Sequence, residues 1–252
     1  MEIGVVPPTP NHNLLDAQVT VPTAYATIVL EGSKLGHPVA YAQEQSGVLV
    51  QNLLPIRMTE DQQISSSSKT NLELHTETAF HPYKPDYLLL LCLRHDDSAA
   101  TTYSNSEDFL SELTDRDLEV LQRRAFVTQV DDSFKTDGSE TADVTLPVLT
   151  SDSLGGYTVA YDKYAMRGAS EEEQIALDRL TDAIERTMRS VTLQTADLLV
   201  IDNSSVVHGR SSFVPRYDGT DRWLLRLMIV KSLPPSEHLS GRMITTSFSK
   251  PR

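Results

Sequence analysis

The chain has a single cysteine, Cys92, so no internal disulfide can tie it together and its stability has to come from a hydrophobic core. Cys92 lies inside the apolar run Tyr87–Leu93 and reads as a small hydrophobe, which fits a reducing compartment. Positive charge is scarce as well: 22 Lys+Arg stand against 35 Asp+Glu, giving a formal net charge of −13 and a pI near 4.9. That balance lacks the basic footprint that nucleic acid or an anionic membrane surface selects, so neither is an expected partner. Long apolar runs are missing too. No window approaches the roughly 18 consecutive apolar residues of a spanning helix, and no charged segment leads into an apolar one at the N-terminus. The expected location is therefore cytoplasmic.

What is present suits one folded domain over 1–252, since β-rich units of this length are common as single domains. The hydrophobic share of 39% is low for a globular protein, yet Tyr87–Leu93 and Leu224–Val230 are dense enough to bury. Residues 1–46 read as a lead-in, rich in proline at Pro7, Pro8 and Pro10, followed by a helix over Pro22–Glu31 ended by Gly32. The core is expected over 47–230. Strands are predicted at Gly47–Leu54, Leu72–Phe80, Tyr87–Leu93, Asp197–Asp202, Val206–His208 and Trp223–Val230. Between Thr59 and Thr70 the chain is almost wholly polar, with four consecutive serines from Ser65, and has the composition of a mobile loop. Residues 131–170 read as an excursion off the core, or a lid. Thr114 is a candidate N-cap, and the clearest helix starts at Ser170 with Glu173 three residues on and a stripe of Leu177, Leu180, Ile184, Met188 and Val191. Strands bracket helices rather than alternating with them, which argues against a doubly wound parallel sheet.

Chemistry enters with His75-Thr76-Glu77. Residues two apart on a strand project to one face, so an imidazole and a carboxylate there can reach one metal ion. Alone the pair is weak: seven histidines in a chain with 35 acidic residues among 252 give roughly one such match by accident, and His95-Asp96-Asp97 is a second. A third ligand is needed, and His208 is the candidate, because a two-histidine, one-carboxylate triad leaves three adjacent positions open on iron(II) for a chelating cosubstrate and O2. Arg222, fourteen residues later, opens an apolar strand. A buried guanidinium is the natural partner for the far carboxylate of 2-oxoglutarate, and Arg222, Leu224 and Arg226 fall on one strand face. Two buried arginines without anions would be costly.

These residues resemble a known family. Leu74-His75-Thr76-Glu77-Thr78-Ala79-Phe80-His81, Pro85-Asp86-Tyr87-Leu88, Cys92-Leu93-Arg94, His208-Gly209-Arg210-Ser211 and Tyr217-Asp218-Gly219-Thr220-Asp221-Arg222-Trp223 are similar to the clavaminate synthase-like iron(II)/2-oxoglutarate oxygenases, over about residues 47–230. Within that group the likeness is greatest to the free amino acid hydroxylases of peptide antibiotic pathways, the arginine and asparagine β-hydroxylases. The resemblance implies a mainly β fold with flanking helices around a distorted double-stranded β-helix, or jelly roll, with Fe(II), 2-oxoglutarate and O2 as the reacting partners. It implies that His75, Glu77 and His208 bind iron, that Arg222 and Thr101 hold the cosubstrate, and that Arg226 faces the cosubstrate or the substrate's carboxylate. It further implies hydroxylation of an unactivated carbon of a free L-amino acid, with succinate and CO2 released.

For a free amino acid, Glu77 and Arg226 suit the α-ammonium and α-carboxylate, and Asp162 a guanidinium or side-chain ammonium; the resemblance further implies that Gln51 and the loop Ser65–Ser68 contact the amino acid backbone. A basic substrate ranks above asparagine. The alternatives are a carrier-tethered residue, a small molecule that is not an amino acid, or an inactive or regulatory homologue. Members of the family usually carry a longer segment ahead of Pro7, so the chain is expected to start late and lack part of the outer layer. A homo-oligomer is left open.

Overall fold

The computed structural model describes residues 1–10, 20–131, 134, 143–152, 155–246 and 248. In chain order these give α1 (Pro22–Ser33), β1 (His37–Tyr41), β2 (Val50–Leu53), β3 (Leu72–His75), β4 (Tyr87–Arg94), β5 (Thr101–Asn105), α2 (Ser106–Leu110) and α3 (Asp115–Leu121). The short strands β6 (Phe126–Thr128), β7 (Val144–Leu146), β8 (Leu149–Ser151), β9 (Tyr157–Val159) and β10 (Met166–Gly168) follow, then α4 (Glu171–Thr187). Last come β11 (Arg189–Val191), β12 (Leu198–Asp202), β13 (Val206–Arg210), β14 (Trp223–Val230), β15 (Leu239–Ser240) and β16 (Met243–Ile244). The described residues are thus mainly β with flanking helices. None of their helices is long and apolar enough to cross a membrane.

The larger sheet runs β12-β4-β14-β1-β16-β15, with β2 also paired to β14. β14 is its spine: β4 lies antiparallel along one edge, while β2 and then β1 share the other. All eight residues of β14 are buried, and alternation sends them to two layers. Trp223, Leu225, Leu227 and Ile229 pack outward with Leu89, Leu91 and Leu93 against Ala24 and Ile28 of α1. Leu224, Met228 and Val230 face inward with Leu88, Leu90 and Cys92. Each fully buried aliphatic side chain contributes about 1.5–3 kcal/mol, so this spine is where the sheet's stability concentrates.

Gly32 does not end α1. It sits inside the helix, where a Cβ would meet Leu227 Cδ2 at 2.7 Å and Ile229 Cδ1 at 2.8 Å, so it is needed for close packing of helix on sheet. The smaller sheet, β11-β5-β13-β3, lies on the other side of the inner layer and carries the two candidate histidines. A third core gathers Leu177, Leu180 and Ile184 of α4 with Phe109, Leu121, Phe126, Leu149 and Tyr161. The described part of 131–170 adds Leu146, Val148, Leu149, Val159 and Met166 to this third core.

Thr114 caps α3 as expected, in a reciprocal box with Asp117. At α4 the Ser170 hydroxyl donates to the Glu173 carboxylate and accepts no backbone N–H, so a direct side-chain bond stands in place of the expected box. The expected stripe also stops early: α4 ends at Thr187, Met188 is exposed, and Val191 belongs to β11.

Candidate active site

The strand predicted over Leu72–Phe80 ends at His75. β3 pairs with β13 at His75–His208 and Leu72–Arg210, so β3 takes three steps where β13 takes two. Gly209 sits in this bulge, where a Cβ would lie 2.4 Å from the Leu72 carbonyl oxygen, so only glycine lets the strands approach here. Beyond His75 the chain turns, with Thr78 at φ +48°. Glu77 thus reaches the same site as His75 from a turn and not from strand alternation.

His75, Glu77 and His208 each offer one ligand atom, all within 4.8 Å of one another, and form the only such metal-capable cluster among the described residues. The Glu73 carbonyl can only accept, so the 2.8 Å contact with His75 Nδ1 puts the proton on that nitrogen and leaves the Nε2 lone pair for the site. His208 Nε2 lies 3.8 Å from Glu77 Oε2. Burial, with the charges of His75 and Arg226, holds the His208 imidazole well below its usual range, which keeps it neutral as a metal ligand requires. Two imidazoles and one carboxyl group, gathered at a cavity of about 1130 Å³, fit a divalent iron with open positions.

Arg226 of β14 and Arg222, the residue just ahead of that strand, both border this cavity and differ sharply. Arg226 donates from Nε to Gln51 Oε1 at 2.7 Å, from Nη1 to Glu77 Oε1 at 2.9 Å and from Nη2 to Glu44 Oε2 at 3.1 Å. Burial opposes its charge, but Glu44 and Glu77 outweigh that and hold the guanidinium above its ordinary value. Arg222 is equally buried, and no side chain or carbonyl among the described residues accepts from it. Burial lowers it to about 10.

Other expected residues divide. Thr101 is buried and borders the cavity, as do Ser65 and Asp162. Gln51 does not border it; its amide serves Arg226 and Glu44 from behind. Asp162 pairs in a bridge with His75, and its Oδ1 accepts the N–H groups of Tyr164 and Ala165, each at 2.8 Å, in a turn that fixes the carboxylate. No lid helix follows directly, since β10 intervenes before α4.

Sequence reasoning missed Glu44 and Asp131. Both border the cavity from segments with no periodic pattern. Burial, then Asp162, Glu44 and Glu77, push the Asp131 carboxyl well above its ordinary value. The loop predicted as mobile is fastened at several points: the Arg210 guanidinium donates to the Ser67 carbonyl and hydroxyl and to the Thr70 carbonyl, and Phe213 N–H donates to the Ser68 carbonyl.

This fold is shared with a known class. Residues 18–228 match the family model described as taurine catabolism dioxygenase TauD, TfdA family, and the chain belongs to that family. It is 33% identical over 258 residues to L-lysine 3-hydroxylase of Catenulispora acidiphila, covering 98% of this chain and 71% of that protein. An asparagine oxygenase in complex with Fe(II), 2S,3S-3-hydroxyasparagine and succinate superposes with a TM-score of 0.87 at 31% identity, over 96% of this chain and 76% of that one. The non-heme iron oxygenase OrfP in complex with Fe, succinate and (3S)-hydroxy-L-Arg gives 0.85 at 32%, over 96% and 76%. Its complex with Fe and alpha-ketoglutaric acid gives 0.83 at 33%, over 94% and 76%.

Proposed function

We propose that this chain is an iron(II)/2-oxoglutarate-dependent oxygenase that hydroxylates a free L-amino acid with a basic side chain, on a core that is a distorted double-stranded β-helix. Iron(II) with 2-oxoglutarate and O2 supplies the oxidising chemistry, and the products are the hydroxylated amino acid, succinate and CO2. His75, Glu77 and His208 hold the metal, and Arg222 takes the far carboxylate of 2-oxoglutarate beside the Thr101 hydroxyl.

The chain's own part is placement, because hydrogen is taken from whichever carbon is held against the metal. Three of the five N–H donors of Arg226 are engaged by Gln51, Glu77 and Glu44, which leaves one on each terminal nitrogen for the substrate's α-carboxylate. Since Glu77 Oε1 accepts from Arg226 and its Oε2 faces His208 at the metal triad, while the Arg226 and Gln51 contacts of Glu44 both fall on its Oε2, Glu44 is the better partner for the α-ammonium. Its carboxyl is pushed up by burial, against the pull of Arg226, and a cation beside it relieves that.

The observation that carries a basic substrate is the pair Asp131 and Asp162 at the same cavity. A buried Asp131 carboxyl whose proton affinity Asp162 raises further calls for a cation beside it, and a guanidinium or ammonium group supplies it where a neutral carboxamide does not. Succinate release by the purified chain with Fe(II), ascorbate and 2-oxoglutarate, measured across the free amino acids, tests this. Stimulation by Lys, Arg or a close homologue is expected. Stimulation by Asn alone removes the Asp131–Asp162 anchor, and silence across the panel moves the assignment to a tethered or non-amino-acid substrate.

A further inference from the structure

The turn that carries Glu77 has lost its strand partner. β3 stops at His75, Thr76 is held by Tyr161, and the backbone groups of Glu77 have no ladder to bond to. They are buried with the side chain, and buried peptide groups without partners are costly. One side chain supplies both partners. Asn203 Oδ1 accepts the Glu77 N–H at 2.7 Å, and Asn203 Nδ2 donates to the Glu77 carbonyl at 3.1 Å. The same Nδ2 donates its second hydrogen to the Pro85 carbonyl at 2.8 Å, so both donors of the amide are used.

Asn203 is itself fixed. It is fully buried, its N–H donates to the Asp86 carbonyl at 2.9 Å, and its carbonyl accepts from Lys84 Nζ at 3.2 Å. It stands in the tight turn between β12 and β13, where Asp202 accepts from the N–H groups of Ser204 and Ser205. His208 follows five residues later on β13. A primary amide carries a donor and an acceptor in one plane, as a peptide unit does, so its double bond to one residue reproduces the pairing that an antiparallel neighbour would make.

We propose that Asn203 is a positioning residue for the iron site: it replaces the missing strand partner of Glu77 and ties that ligand's backbone to the turn from which the strand of His208 starts. The proposal rests on the reading of His75, Glu77 and His208 as the metal triad. Arg226 orients the Glu77 carboxylate from its far side, so the ligand is held at both ends, head by a guanidinium and backbone by an amide. No contact of Asn203 with substrate is involved.

Co(II) titration of the full-length apoprotein tests it, with binding followed by the visible ligand-field spectrum and apoprotein melting recorded in parallel. Asn203→Ala is expected to weaken Co(II) by about 10- to 100-fold, the usual effect of removing a group that orients a ligand, and to shift the spectrum of the bound ion. Asn203→Asp, which keeps the size of the side chain but loses both donors, is expected to do the same and serves if the alanine variant fails to fold. Asn52→Ala is the control, since Asn52 bonds Tyr25 and Trp223 and is expected to lower the melting temperature without moving Co(II) affinity. A merely structural Asn203 would behave like Asn52, melting earlier with affinity and spectrum unchanged, and that result overturns the proposal. If the wild-type chain itself binds no Co(II), the triad reading falls and this inference falls with it.

Discussion

Arg222, just ahead of β14, and Arg226, within it, stand four residues apart, border the same cavity and are buried to the same degree, yet the protein treats them in opposite ways. Arg226 is enclosed by its own chain's acceptors, Glu44, Glu77 and Gln51, and its charge is stabilised. Arg222 has no such acceptor among the described residues, and burial lowers it to about 10. On the proposed assignment the first is part of the scaffold that aims a metal ligand, and the second holds a desolvated charge for the anion of the cosubstrate. Burial alone therefore does not reveal what an arginine is for; the acceptors around it do.

The largest effect expected from this contrast is on stability at Arg226. Arg226→Ala leaves Glu44 and Glu77 as a buried pair of like charges and is expected to cost about 3–5 kcal/mol in apoprotein unfolding by denaturant. Arg222→Ala is expected to leave apoprotein stability equal or higher while weakening 2-oxoglutarate by about 2–4 kcal/mol, roughly 30-fold to several hundred-fold in KM. Should it instead destabilise the apoprotein as much as the change at Arg226, the contrast is broken. Asp162→Ala sharpens the picture at the other end of the cavity: the KM for a basic amino acid is expected to rise by about 10- to 100-fold with the KM for 2-oxoglutarate unchanged.

Apart from the two arginines stands a pH slope, confined to acid, that neither of them can produce. Burial, with His238 nearby, pushes the His81 imidazole down to about 3. An unfolded histidine takes up its proton near pH 6.5, so between that value and about 3 the unfolded chain binds more protons than the native one. The contribution is full above about pH 6.5 and is lost as pH falls toward 3, at up to about 1.4 kcal/mol per pH unit. Denaturant midpoints of apo His81→Phe against wild type are expected to show a flatter acid limb.

The parts of the site that were legible in the sequence are those whose logic is local or travels with a motif. His208-Gly209-Arg210 and the spacing to Arg222 were readable, and β14 begins and ends where its apolar run does. His75 and Glu77 were paired by an alternation argument whose result holds although its premise fails, because the strand stops at His75 and a left-handed residue at Thr78 turns the chain. No local pattern could show that, since the turn is stabilised by an amide 126 residues away. Glu44 and Asp131 escaped for the same reason. They sit in aperiodic segments, and only the tertiary fold brings Glu44 to an arginine 182 residues further on. Gly32 illustrates the converse, a residue read as a helix stop that is a contact point with β14.

The mooring of the serine loop by Arg210 bears on how such an enzyme can change its diet. The guanidinium that fastens Ser67 and Thr70 stands two residues from His208 on the same strand, so a wall of the cavity and the strand that carries a proposed metal ligand share one anchor. Variation at Ser65 can reshape the wall while the anchor holds. Variation at Ser67 or Arg210 instead disturbs recognition and reactivity together, so new specificities are more accessible through the unanchored side chains of the loop than through its anchors.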